Sequence, residues 1–286
     1  MKIGLFATFM SPTCGSEMVA EFGSNAEEIG IESLWLGEHV VLFDKMEFPY
    51  PGSKDGKIPV PAGGGMLDTV ATIGFMASRT TKLRFGTGIT LVPQRNPVYT
   101  ANEFATLDWL SNGRIDFGVG VGWCKEEVLA CGYSWEDRGK RCDEFLEVIK
   151  RLWTDEVASF EGDHFSLPEC RLDPKPIQNP HIPMIIGGHS EAGFRRAARF
   201  GAGWYGFNLS PELTQNVLGN IDRALEKQNR TRDDFDIVIT PPYNATPATV
   251  REYEDLGVDR LVMHLGNQKP ERVEQRLTEM EKFVAA

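Results

Sequence analysis

Short apolar runs alternate with amphipathic segments along the whole chain. Eight of the runs predict β-strands, at Ile3–Thr8, Ser33–Gly37, Leu83–Ile89, Ile115–Gly120, Pro183–Gly187, Gly203–Phe207, Asp236–Thr240 and Arg260–Leu265. These runs are too apolar to face water on one side, which is typical of buried parallel strands.

The amphipathic segments between the strands predict helices with defined ends. They lie at Glu17–Ile29, Asp68–Ser78, Pro97–Leu110, a broken pair from Lys125 to Trp153, Glu191–Phe200, Pro211–Lys227, Pro247–Leu256 and Pro270–Val284. Ser210 and Thr246 each precede a proline that suits the first helical position, and Gly201 and Gly257 stand where left-handed C-caps are expected.

Strand followed by helix, eight times over, predicts an α/β fold of the TIM (β/α)8 barrel type, in one domain spanning residues 1–286. An open, doubly wound sheet uses the same alternation. However, no G-x-G-x-x-G follows the first strand, so that alternative lacks its usual support.

Two insertions interrupt the repeat: residues 39–66 after the second strand and residues 157–183, which read as a hairpin, before the fifth. Loops that follow barrel strands gather at the C-terminal rim, where ligands bind. The first insertion is therefore either a lid over a site, or a surface loop or dimer contact.

Composition narrows the class of protein. The chain of 286 residues carries 30 Lys and Arg against 41 Asp and Glu, a net charge of −11, which argues against nucleic-acid binding. No apolar stretch is long enough for a membrane span. Five scattered cysteines without metal-ligand spacing favour a reducing, cytoplasmic location and no metal site.

Several residues at the predicted strand ends are candidates for chemistry. Glu38 and His39 end the second strand, where a histidine can transfer protons, although a structural histidine is the plainer alternative. Glycines in the third and fourth strands indicate either a bulge or a flat cavity that brings a planar ligand against bare backbone.

A further candidate follows the fifth strand. Gly187, Gly188 and His189 lead into a helix that Ser190 can cap, which is the arrangement of a phosphate site, or simply of a tight turn. Trp204, in the next strand, could form a wall against the same ligand.

Ordered motifs across the chain resemble the bacterial luciferase-like monooxygenase superfamily, and most closely its F420-dependent oxidoreductase subgroup. They are Gly86-Thr87-Gly88, Arg95-Asn96-Pro97, Leu110-Ser111-Asn112-Gly113-Arg114, Gly118-Val119-Gly120-Val121-Gly122-Trp123, Pro174-Lys175-Pro176, Ile186-Gly187-Gly188-His189-Ser190 and Gly203-Trp204. The resemblance runs to about residue 205.

The resemblance implies a TIM barrel, a homodimer, and FMN or the deazaflavin coenzyme F420 at the C-terminal rim. It implies a non-prolyl cis peptide at Gly88–Ile89, behind the cofactor ring. His39, with Glu38, is then expected to be catalytic. The residues expected to bind cofactor are Thr87, Gly88, Ile89, Gly122, Trp123, Gly187, Gly188, His189 and Trp204.

One departure from the family affects the expected chemistry. An acidic residue follows the fourth-strand glycines in the deazaflavin-dependent sugar-phosphate dehydrogenases, whereas Trp123 stands here. Oxidation of a sugar phosphate is therefore not expected.

Three functions fit the resemblance: F420-dependent hydride transfer to or from a small organic substrate, FMN-dependent oxygenation, and non-catalytic flavin binding. The first is favoured. The basic residues available for an anionic coenzyme tail are Lys45, Lys54, Lys57, Arg95 and Arg138.

Overall fold

The computed structural model describes residues 1–50, 53, 55–61, 63–265 and 270–285. Its strands are β1 Lys2–Ala7, β2 Ser33–Leu36, β3 Arg84–Thr87, β4 Thr90–Leu91, β5 Ile115–Gly120, β6 Ala158–Glu161, β7 Ser166–Cys170, β8 Met184–Gly187, β9 Gly203–Phe207, β10 Asp236–Thr240 and β11 Arg260–His264. Its helices are α1 Ser16–Glu28, α2 Thr69–Ala77, α3 Pro97–Ser111, α4 Lys125–Ala130, α5 Arg138–Thr154, α6 Glu191–Phe200, α7 Pro211–Glu226, α8 Pro247–Asp255 and α9 Pro270–Val284.

Eight parallel strands close into a barrel in the order β1-β2-β3-β5-β8-β9-β10-β11, with β11 pairing back to β1. The predicted TIM barrel is thereby confirmed. The short β4 extends the third barrel strand beyond a break and pairs with β5. The second insertion forms the antiparallel hairpin β6–β7, as expected.

Local sequence chemistry sets most helix ends. α7 begins at Pro211, where the Ser210 hydroxyl accepts a hydrogen bond from Leu213 N at 3.3 Å. Gly257 has the left-handed conformation expected after α8. The same expectation for Gly201 is wrong, because that residue is extended, with φ −81°, and leads directly into β9.

The barrel has an apolar interior and a charged base. Trp35 and Tyr205 stack inside it, with ring centroids 5.4 Å apart. At the N-terminal ends of the strands, Asp116 lies between Arg84 at 2.6 Å and Arg260 at 3.3 Å. The base is therefore closed by paired charges, and the opposite rim carries the loops that could hold a ligand.

Candidate active site

The third barrel strand breaks at a cis peptide between Gly88 and Ile89, as the family resemblance implied. Thr87, which is fully buried, fixes the start of the break by donating to Gly118 O at 2.7 Å and accepting from Thr90 Oγ1 at 2.9 Å. In this position the Thr87 side chain joins the third barrel strand to β5 and the two sides of the break to each other.

The glycines of β5 make room for this break. A Cβ added to Gly118 would lie 1.6 Å from the Thr87 carbonyl oxygen, and one on Gly120 would lie 1.6 Å from Ile89 Cδ1. The bulge interpretation is confirmed. Protein atoms fill the space over Gly118 and Gly120, so a flat ligand cavity stays a prediction for the Gly88–Ile89 break and Gly122 alone.

Glu38 is buried at the end of β2 and holds two neighbouring segments. Its carboxylate accepts from Leu91 N at 2.7 Å and pairs with the Arg95 guanidinium. Burial raises the pKa of Glu38, and the Arg95 charge and the Leu91 N–H act against that rise by stabilising the ionised form. Arg95 also pairs with Glu103, so its charge is already matched by carboxylates.

His39 is oriented by a residue that sequence reasoning missed. Its Nδ1 lies 2.9 Å from Glu127 Oε2, and the other oxygen of that carboxylate accepts from Val40 N at 2.6 Å. The Glu127 side chain is fully buried, and that of His39 is 12% exposed. The available signal was an acidic residue beside Val128 on the buried face of α4, just after the fourth barrel strand.

The first insertion packs onto the segment that follows β5. Phe48 stacks on Trp135 with ring centroids 5.8 Å apart, and the ring centroids of Tyr50 and Trp123 are 5.4 Å apart. The Trp123 indole also makes an edge-to-face contact with the His39 ring. Glu47 pairs with Lys125 at 2.7 Å. The insertion therefore covers the rim beside His39, the arrangement expected of a lid. A cavity of about 130 Å3, lined in part by Glu38, His39 and Met66, lies at its edge.

The glycine loop after β8 has the form expected of a phosphate site. Gly188 has φ +114°, and Ser190 caps α6 by accepting from Gly193 N at 3.2 Å. Gly188 and His189 are exposed. Trp204 is fully buried and donates to Gly188 O at 2.9 Å, so it supports the loop from behind.

Among the four basic candidates that the structure describes, Arg138 has the geometry that suits an anion. Its guanidinium carbon lies 3.5 Å from the centroid of the Trp135 ring, and its Nε is buried without a hydrogen-bond partner among the described residues. Lys45 and Lys57 are exposed, whereas Lys54 lies outside the described residues. Gly139, next to Arg138, accepts from Arg196 of α6 at 2.9 Å, which brings the starts of α5 and α6 together.

The rim also carries His264, at the end of β11, which the sequence analysis did not single out. Its ring stacks on Tyr243 with centroids 4.0 Å apart and contacts Phe207 and Phe6 edge-on at 5.1 and 5.5 Å. Burial lowers the pKa of His264 to about 4.

The part of the chain that the structure describes contains neither a cluster of metal ligands nor a membrane-spanning helix. No group of three or more His, Cys, Asp or Glu side chains could hold a metal ion. No helix in the same part is long and apolar enough to cross a membrane.

A closed parallel barrel with a broken third strand, a histidine at the rim and a glycine loop before α6 defines a TIM-barrel protein with its candidate site at the C-terminal rim. The chain belongs to the luciferase-like monooxygenase family, whose model matches residues 1–256. The resemblance found in the sequence is thereby confirmed.

Two relatives illustrate the range of the family. An uncharacterized protein of Mycobacterium tuberculosis is 32% identical over 240 residues, covering 83% of each chain. An F420-dependent glucose-6-phosphate dehydrogenase of Microbacterium testaceum is 31% identical, covering 79% of this chain and 63% of that enzyme. F420-dependent enzymes are thus among its relatives.

Solved structures share the fold at low sequence identity. The monooxygenase RslO1 of Streptomyces bottropensis superposes with a TM-score of 0.78 at 20% identity, covering 100% of this chain and 99% of that one. An F420-dependent secondary alcohol dehydrogenase also gives 0.78, at 16% identity, covering 99% and 98%. At these sequence identities, the likenesses show the shared barrel fold and nothing about cofactor or substrate.

Proposed function

We propose that this protein is an oxidoreductase that uses coenzyme F420 to transfer a hydride to or from a small organic substrate. The observation that carries the proposal is the break between Thr87 and Thr90 in the third barrel strand, with His39 just after the neighbouring strand and a glycine loop after the strand two places away. The relationship to an F420-dependent dehydrogenase supports this choice of coenzyme.

The residues at the rim fit an anionic, ring-bearing coenzyme. Gly88 and Ile89 would support the ring, with Gly122 and Trp123 beside it, and the exposed backbone of Gly188 and His189 would face the phosphate. The Nε of Arg138, which pairs with no atom in the described ranges, offers a buried donor at the start of α5. In this proposal the buried Thr87, Gly187 and Trp204 position those groups rather than contact the ligand.

His39 would move the proton that accompanies hydride transfer. Because its Nδ1 can donate to the Glu127 carboxylate, Nε2 is the ring atom left to give a proton to, or take one from, a substrate oxygen. When bound, coenzyme F420 supplies or accepts the hydride. Glu38, whose carboxylate already binds Arg95 and Leu91, would position the end of β2.

FMN-dependent oxygenation is the second candidate. It is favoured by the family to which the chain belongs and by the structural likeness to a monooxygenase. Both candidates need the same ring-binding break, so the choice depends on the affinity for each coenzyme.

Titration of the purified protein with F420 and with FMN, followed by fluorescence, tests the proposal. We expect saturable binding of F420 at least about tenfold tighter than that of FMN, a difference of about 1.4 kcal/mol. Tighter binding of FMN would favour the oxygenase, and binding of neither would refute both. Coenzyme binding without turnover of any of a series of small alcohols and ketones would favour the third function, a non-catalytic coenzyme-binding protein.

The remaining expectations about the whole protein are also part of the proposal. Residues 1–286 would form one domain, consistent with α9 packing against α1 and β1. The protein would be a cytoplasmic homodimer without nucleic-acid or membrane partners. Light scattering after gel filtration measures the oligomeric state, and a monomer at micromolar concentration would contradict this part.

A further inference from the structure

A second histidine at the rim has no role in the function proposed above. His264 is the last residue of β11, and three aromatic rings surround it: Tyr243 stacked on its face, and Phe207 and Phe6 edge-on. The four rings come from the C-terminal ends of β1, β9 and β11 and from the loop between β10 and α8. They form a continuous aromatic wall at the barrel mouth.

The imidazole of His264 has an unused hydrogen-bonding position. Its Nε2 is buried, and no residue that the structure describes pairs with it. Burial lowers the pKa of His264 to about 4, so the ring is neutral near pH 7 and offers one donor and one acceptor. An unpaired buried polar atom is destabilising, so a ligand that pairs with it would remove an existing cost.

The wall begins at the break in the third strand and continues to the other side of the barrel mouth. A Cβ added to Gly88 would lie 3.1 Å from Phe6 Cε2, whereas Tyr243 follows the seventh strand around the barrel and His264 ends the eighth. Tyr243 is 70% exposed and covers the His264 face from a loop without regular structure, so it can move without disturbing the core. Tyr243 is also close enough to Tyr50 of the first insertion to act on it electrostatically: burial, and after it the nearby Tyr243, raise the pKa of Tyr50.

We propose that His264 and Tyr243 form the substrate subsite: His264 Nε2 binds the carbonyl or hydroxyl oxygen of a small uncharged substrate, and the Tyr243 ring packs against its apolar part. The inference rests on the proposed function, since a substrate held here would face a coenzyme ring lying on the Gly88–Ile89 break. A wall of neutral rings favours an uncharged molecule over a carboxylate, because an ion would lose its hydration without gaining a counter-charge.

The test uses acetophenone as a neutral carbonyl probe and benzoate as its charged counterpart, with binding to the full-length protein measured by ligand-detected NMR. We expect acetophenone to bind, benzoate to bind at least about tenfold more weakly, and His264→Phe to weaken acetophenone about fivefold to tenfold by removing one hydrogen bond. Equal affinity of acetophenone for wild type and H264F, or no detectable binding to wild type, would overturn the proposal.

Two comparisons separate this role from a packing role. The matched control is His181→Phe, since His181 is also a partly buried histidine but its Nδ1 is bonded to Ile182 O at 2.8 Å, so acetophenone binding should be unchanged. Tyr243→Ala, at an exposed position that folding tolerates, should also weaken acetophenone. Repeating the titrations with F420 present distinguishes the two proposals, because failure to bind F420 refutes the proposed function alone.

Discussion

The imidazole of His39 and the carboxylate of Glu127 are hydrogen-bonded at 2.9 Å, although 88 positions separate them in the chain. Glu127 is fully buried, and its second oxygen accepts from Val40 N, so one carboxylate fixes both the ring and the backbone that carries it. A buried carboxylate behind a histidine sets the ring's tautomer and its orientation.

Replacing Glu127 with Gln should lower kcat about tenfold while leaving the Kd for coenzyme unchanged, because the amide keeps the shape but is a weaker acceptor that orients the His39 ring less firmly. His39→Ala should lower kcat about 100-fold. Steady-state kinetics and fluorescence titration measure the two quantities separately.

The control for this prediction is Glu169→Gln, which changes an exposed carboxylate on the distant hairpin strand β7. It should have wild-type kinetics. If E127Q raised KM or the coenzyme Kd without changing kcat, Glu127 would have only a structural role.

Removal of the Glu38 carboxylate should destabilise the fold more than removal of the other partner of Arg95. Glu38→Ala removes the buried partner of Arg95, which keeps its pair with Glu103, and takes the acceptor from the Leu91 N–H, so we expect a loss of about 3 kcal/mol in the free energy of unfolding. Glu103→Ala removes a carboxylate that is 36% exposed and should cost less than about 1 kcal/mol. Urea unfolding of both variants checks the order, and equal losses would contradict the positioning role.

Stability should fall in acid through Glu27. Burial works against ionisation, but the N–H groups of Leu83, Lys82 and Thr81 lower the pKa of Glu27 to about 2, compared with its usual 4.5. A carboxylate with a depressed pKa stabilises the fold above pH 4.5, and this contribution is lost as the pH falls towards 2. Because solvent screens the partly exposed Glu27 carboxylate, Glu27→Gln should cost only about 1 kcal/mol at pH 7 and little at pH 2.

Thermal melts of wild type and E27Q across this pH range provide the measurement, and the difference in Tm should shrink as the pH falls. A difference that stayed constant down to pH 2 would mean that the Glu27 charge contributes nothing. Glu28→Gln, at the next and exposed position of α1, is the matched control.

Substitution of Gly118 by Ala should displace the break in the third strand. The new methyl group would meet the Thr87 carbonyl, a backbone atom that cannot turn aside, so we expect a loss of about 3 kcal/mol in unfolding free energy. If the break supports the coenzyme ring, F420 affinity should also fall. Gly15→Ala, where a Cβ would meet nothing within 4 Å, should change neither property.

The sequence was sufficient for the elements and their order. Apolar runs, proline starts such as Pro211 and the strand-helix alternation are local signals, because each depends on burial or capping within a few residues. The position of the cis bond at Gly88–Ile89 came from the family resemblance, and the structure has it there. The prediction of a left-handed conformation at Gly201 was wrong. Strand β9 begins two residues later and needs extended backbone, which outweighs the tendency of glycine to end a helix in the left-handed conformation.

The tertiary structure alone decided which side chains meet at the rim. Glu127, His264 and Tyr243 lie far from His39 in sequence and come to the same end of the barrel only when it closes. The glycines of β5 looked like space for a ligand, yet the bulge of the neighbouring strand fills that space. Local patterns record which residues are buried and how the backbone turns, whereas partners across a closed sheet depend on strand register and side-chain direction, which no short stretch of sequence specifies.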